Sequence, residues 1–173
     1  MSKQKRPQQQ KLCNGQIQPQ ERTTMIKNYL TVEEITEILD ELEVEYEVEI
    51  DEDNDPCINC TMSEEPFCIR PLGQGPFYEE FLLRAVFFPD LDPGEMCNQF
   101  NRTYHYCSSY PATIYTESTD EDERTIVAVE RAVMLCGGVA RDHIVITIEM
   151  WEEIMLLAAS FFNGENNLGD EME

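Results

Sequence analysis

Seven cysteines carry the most conspicuous chemistry in this 173-residue sequence: Cys13, Cys57, Cys60, Cys68, Cys97, Cys107 and Cys136. Cys57-Ile58-Asn59-Cys60 has the CxxC spacing shared by dithiol redox motifs and zinc sites. Redox use needs a lowered thiol pKa at a helix N-terminus. Here Asp51, Glu52, Asp53 and Asp55 precede the pair, and negative charge opposes thiolate formation. Zinc needs four ligands. Cys57, Cys60 and Cys68 supply three, so His105 or Cys107 would have to be the fourth, brought in by the fold. Ordinary reduced thiols are the reading these residues favour. A metal-binding or redox-responsive loop at Cys57, Cys60 and Cys68 is the alternative.

Other candidate sites fail on chemistry. Asp51, Asp53 and Asp55 imitate the start of a calcium loop, but its sixth position is Pro56 rather than glycine and its twelfth is Met62 rather than glutamate. His105 stands among Tyr104, Tyr106 and Tyr110, which reads as a packed aromatic corner. His143 is expected in the first, exposed turn of a helix. Gly137-Gly138 lacks the following lysine and the spacing of a phosphate loop, so it reads as a turn. Carboxylate pairs such as Glu79-Glu80 and Glu152-Glu153 arise by chance among 35 acids. No catalytic residue and no cofactor are expected, and the chain does not read as an enzyme.

Charge separates the chain into two parts. Residues 1–27 hold six basic side chains against Glu21 alone, a net of +5. Residues 28–173 hold six arginines and no lysine against 34 acids, a net of −28. The whole carries −23, which disfavours nucleic acid or an anionic membrane as partner. No apolar run approaches the ~18 residues of a membrane span. Met1 to Gln20 is basic and glutamine-rich with no apolar core, unlike a secretory signal. An odd cysteine count without an export signal predicts reduced thiols in the cytoplasm. The sequons at Asn59 and Asn101 then carry no meaning. The expected division is a basic, disordered tail over 1–27, a domain over 28–163 and an acidic tail over 164–173.

The elements that would position these residues follow from periodicity. Thr31-Val32-Glu33-Glu34 is a capping box, and Ile35, Ile38, Leu39 and Leu42 continue it at helical spacing, predicting a helix over 32–43. Val44, Tyr46, Val48 and Ile50 alternate with Glu45, Glu47 and Glu49, which predicts a strand with one wet, acidic face. Proline and glycine punctuate 57–78, where one or two short strands fit near 57–62 and 67–70. Glu80 to Phe88 reads as a strand. Asp92-Pro93 opens a helix to about Tyr104. Strands follow over 112–117 and 124–135. Ile144, Ile148, Trp151, Met155, Ala159 and Phe162 keep helical period, predicting a helix over 141–162. The order α-β-β-β-α-β-β-α predicts an α+β domain around an antiparallel sheet of about five strands.

Leu30-Thr31-Val32-Glu33-Glu34-Ile35, Leu83-Arg84-Ala85-Val86-Phe87, Asn98-Gln99-Phe100-Asn101-Arg102 and Gly137-Gly138-Val139 follow one another in a set order and spacing. On these residues Leu30 to Phe162 resembles the YbjN family, whose members look like type III secretion chaperones. The resemblance implies a secretion-chaperone-like fold and a small, acidic, non-enzymatic domain that binds proteins or regulates. The loop from Cys57 to Tyr78 is longer and richer in cysteine and proline than the family pattern, and residues 1–27 have no counterpart in it.

The last helix is more apolar than one sheet needs. Ile144, Ile148, Trp151 and Met155 suffice for a core-facing stripe. Ile146, Met150, Ile154, Leu157 and Phe161 form a second stripe, expected to meet a partner protein or a second copy in a homodimer. The functional expectation is an acidic protein-interaction or chaperone-like module without catalysis.

Overall fold

The computed structural model describes residues 25–51, 53–89, 91–104, 111–118 and 123–164. Its elements are β1 (Ile26–Lys27), α1 (Val32–Glu41), β2 (Glu45–Ile50), β3 (Pro56–Met62), β4 (Glu65–Leu72) and β5 (Glu80–Phe87), then α2 (Pro93–Thr103), β6 (Ala112–Ser118), β7 (Glu123–Met134), β8 (Val139–Ala140) and α3 (Arg141–Phe162).

Local chemistry sets the helix starts. The Thr31 hydroxyl accepts from the Glu34 amide at 3.2 Å, and Glu34 Oε2 accepts from the Thr31 amide at 3.0 Å, so both arms of the capping box form. Asp92 accepts from the Glu95 amide at 2.7 Å, with Pro93 in the first turn of α2. α3 has no side-chain cap at Ala140; Arg141 donates its amide to the Met25 carbonyl instead, at 2.8 Å. Inside α3, the buried Thr147 hydroxyl donates to the His143 carbonyl at 2.7 Å, which satisfies that hydroxyl on the helix's inner face.

Six strands form one antiparallel sheet in the order β2-β3-β4-β5-β7-β6. The sequence predicts about five; the additional one comes from the proline-rich stretch, where β3 and β4 form a full hairpin rather than scattered short pieces. Cross-strand partners share a face. One face carries Ile58, Cys60, Phe67, Ile69, Phe81, Leu83, Ala85, Phe87, Val127 and Val129, packed with α1, α2 and α3 into a single core. Trp151 is fully buried there beside Phe67, with ring centroids 6.3 Å apart. Among the described residues no helix covers the opposite face across β2–β5. Toward β7 it closes, and Ile126 and Ala128 are fully buried.

A second, two-stranded sheet pairs β1 with β8. Met25 to Lys27, which the expected division leaves in the tail, are thereby joined to β8 and to the start of α3. Lys27 also ion-pairs with Glu34 on α1. The physical reason is that two ladder partners and one ion pair fix a segment too short and too polar to show any periodicity. Gly138 permits this arrangement. It sits at φ +90°, and a Cβ there would lie 2.8 Å from Ile26 Cγ2.

Candidate functional site

Strand geometry decides the cysteine motif. Residues three apart on β3 point to opposite faces, so Cys57 and Cys60 diverge. Cys60 lies buried in the helix-side core, where burial first, then the neighbouring Cys68 and Cys57, push its thiol up to about 12. Cys57 and Cys68 share the other face, because Asn59 pairs with Cys68 and Cys57 is then diagonal to it. Burial and the adjacent Cys57 push Cys68 up to about 11. Arg70 lies beside both sulfurs, and Cys57 Sγ donates to Asn59 Oδ1 at 3.6 Å. Cys57, Cys60 and Cys68 therefore do not converge as metal ligands. Among the described residues no group of three or more His, Cys, Asp or Glu side chains could hold a metal. His105 and Cys107 lie outside the described residues, and so does the expected aromatic corner. His143 is exposed.

The acidic turn after β2 is structural. Asp51 Oδ1 accepts from the amides of Asp53 at 3.1 Å and Asp55 at 2.9 Å, and Asn54 adopts φ +66°. The carboxylate serves its own backbone, as in an Asx turn.

On the helix-free face, Arg84 Nε lies 3.3 Å from Glu130 Oε1 and stacks 4.7 Å from the Tyr115 ring centroid. The Tyr115 hydroxyl donates to Glu130 Oε2 at 2.6 Å. That bond, then burial, raises the Tyr115 pKa. Arg84 and Glu130 neutralise one another, and with Tyr115 they form a half-buried cluster that ties β5, β6 and β7 together.

The expected second stripe on α3 divides. Ile146 and Met150 are 48% and 50% exposed. Ile154 and Leu157 are half-buried against the core. Phe161 leaves the surface: it is buried, edge-on to Phe100 at 5.4 Å and to Tyr104 at 5.9 Å. α2 covers the C-terminal turns of α3, which a helical wheel drawn on α3 alone does not include. Leu156, on the acidic side of the helix, is exposed and was outside the expected stripe.

A further apolar row sits on β2. Tyr46 is half-buried, yet Val48 and Ile50 on the same side are 41% and 60% exposed. The alternation predicts a dry face; α1 reaches only its beginning. Glu45, Glu47 and Glu49 line the other side, all exposed. The signal for this row was the alternation itself, read without knowing that β2 lies at the sheet's edge.

Among the described residues no helix is long and apolar enough to cross a membrane. No curated protein matches the chain. Two solved structures are similar at 13% identity. One is YbjN, "a putative transcription regulator from E. coli", covering 74% of this chain and 89% of that one with a TM-score of 0.48. The other is an uncharacterized protein from Methanothermobacter thermautotrophicus, covering 77% and 99% with a TM-score of 0.47. The family model described as YbjN, "Putative bacterial sensory transduction regulator", matches residues 31–163. That match spans the domain from the cap of α1 to the end of α3, and the chain belongs to the YbjN family.

Proposed function

We propose that this chain is a cytoplasmic regulatory module that works by binding protein rather than by catalysis, as a homodimer, with a chaperone-like grip on its partner. The observation that carries the reading is the pair Ile146 and Met150, half exposed on a helix whose other apolar residues are mostly buried. Ile154 and Leu157 extend that row at its margin, and Glu149 and Glu153 border it. Exposed apolar rows rimmed by charge are what interfaces use. The family description as a sensory transduction regulator supports the regulatory half of the reading. A net charge of −23 repels a phosphate backbone, so regulation runs through protein contacts.

The test is Ile146→Glu combined with Met150→Glu. Light scattering should turn a dimer into a monomer while the melting temperature stays within a few degrees. A wild type that is monomeric at high concentration removes the dimer and leaves the row to another partner.

A further inference from the structure

We propose that the free edge of β2 is a docking site for an extended protein segment in which basic and apolar side chains alternate. The inference rests on the protein-binding reading above and names a partner class for a surface separate from α3.

Among the described residues β2 pairs with β3 alone, so its other edge presents main-chain groups that none of them pairs. A strand added there sets its side chains about 4.5–5.5 Å from those of β2, alternating between the two faces. On the helix side it would meet Tyr46, Val48 and Ile50, whose exposure grows along the strand as α1 falls away. An apolar side chain at each alternate position would cover them. On the other side it would meet Glu45, Glu47 and Glu49. Among the described residues no cation pairs with Glu45 or Glu47, and Glu49 accepts only from Asn59 Nδ2 at 2.8 Å. A basic side chain at each remaining position supplies the missing charge.

Room exists for the long stems of such side chains. A shallow depression of about 590 Å³ on the helix-free face runs from Glu45 and Glu47 over Pro66 and Val86 to Phe88. Arg84, also in its lining, is already held by Glu130 and Tyr115. Lysine or arginine can lay its methylenes on that apolar floor and keep its charge at the glutamates.

Charge on an edge strand often serves only to prevent sheet-to-sheet association. Here the glutamates do exclude a second copy, because antiparallel pairing of two β2 strands would set glutamate rows side by side. They do not guard the row of Val48 and Ile50. A pattern acidic on one face and apolar on the other selects its complement, not solvent.

The probe is a labelled synthetic peptide matched in length to β2, alternating lysine with valine, titrated by fluorescence anisotropy against the full chain. Saturable binding is expected, weakening between about 50 and about 300 mM salt as screening grows. The same peptide N-methylated on the amides that would face β2 should bind at least about ten-fold more weakly. So should the wild-type peptide against Glu45→Lys with Glu47→Lys, exposed positions whose exchange leaves the melting temperature nearly unchanged. No binding at low salt overturns the proposal. Equal binding by the N-methylated peptide overturns it as well, since that is charge adsorption without strand addition. A chain that dimerises through α3 and ignores the peptide keeps the wider reading and loses this one.

Discussion

Glu34 accepts from Lys27 with one carboxylate oxygen and from the Thr31 amide with the other. One side chain thereby joins the β1 strap to the cap of α1. Burial acts to raise its pKa, but the Lys27 contact and the Thr31 amide outweigh it, and the net is below the ordinary value of 4.5. A depressed carboxylate contributes stability that is present above its unfolded pKa and lost as pH falls through the folded one. Thermal melts should therefore decline below about pH 4.5, and Glu34→Gln should flatten part of that decline. At pH 7 the same variant should cost about 1 kcal/mol in denaturant titration. An acid limb identical to wild type would show that Glu34 does not sense pH.

The strap predicts a sharp boundary for truncation. Removing residues 1–24 should leave the melting temperature nearly unchanged. Removing 1–28 also deletes the β1–β8 ladder, the Met25 carbonyl that receives the Arg141 amide and the Lys27 charge. That loss should lower the midpoint by several degrees, on the order of 1–2 kcal/mol. Equal midpoints for the two truncations would mean that β1 contributes nothing.

Gly138 tests the same contact from the other side. Gly138→Ala introduces a Cβ at positive φ and against Ile26, and should cost about 1–3 kcal/mol. Adding Ile26→Ala should return only the steric share, because the backbone strain remains. Full recovery in the double variant would assign the whole cost to the clash.

Thiol reactivity should follow the two faces. At neutral pH the thiols of Cys60 and Cys68, held near 12 and 11, stay protonated. Among the described cysteines, iodoacetamide mapped by mass spectrometry should modify the exposed Cys136 first and Cys60 last. Zinc added to the folded protein should protect none of Cys57, Cys60 and Cys68 from alkylation. Protection of all three together would mean that the sheet can rearrange to bring them to one side.

Legibility in the sequence followed the range of the forces involved. Capping boxes and periods act over a few residues, so α1, α2 and the whole of α3 could be placed from Thr31, Asp92 and the spacing of Ile144 to Phe162. β1 and β8 could not, because two-residue strands have no period and exist only through each other. The α3 row was legible as an excess of apolar residues. Its division was not: Phe161 is buried by Phe100 and Tyr104 of the second helix, a contact about sixty residues away in sequence. The CxxC spacing by itself could not say where the two sulfurs point. It describes two sulfurs on a helix or turn, and a strand sends them apart.

The placement of all three helices on one side of the sheet has a consequence for how the protein can change over time. Substitutions among Ile58, Ile69, Leu83 and Trp151 act on whether the chain folds at all. Substitutions along Glu45, Glu47 and Glu49 act on what the chain meets, with little bearing on whether it folds. Relatives could therefore exchange partners by rewriting one strand's outer row while inheriting the same interior. The divergence to look for is rapid drift along β2 beside a slow core, written within a single sheet.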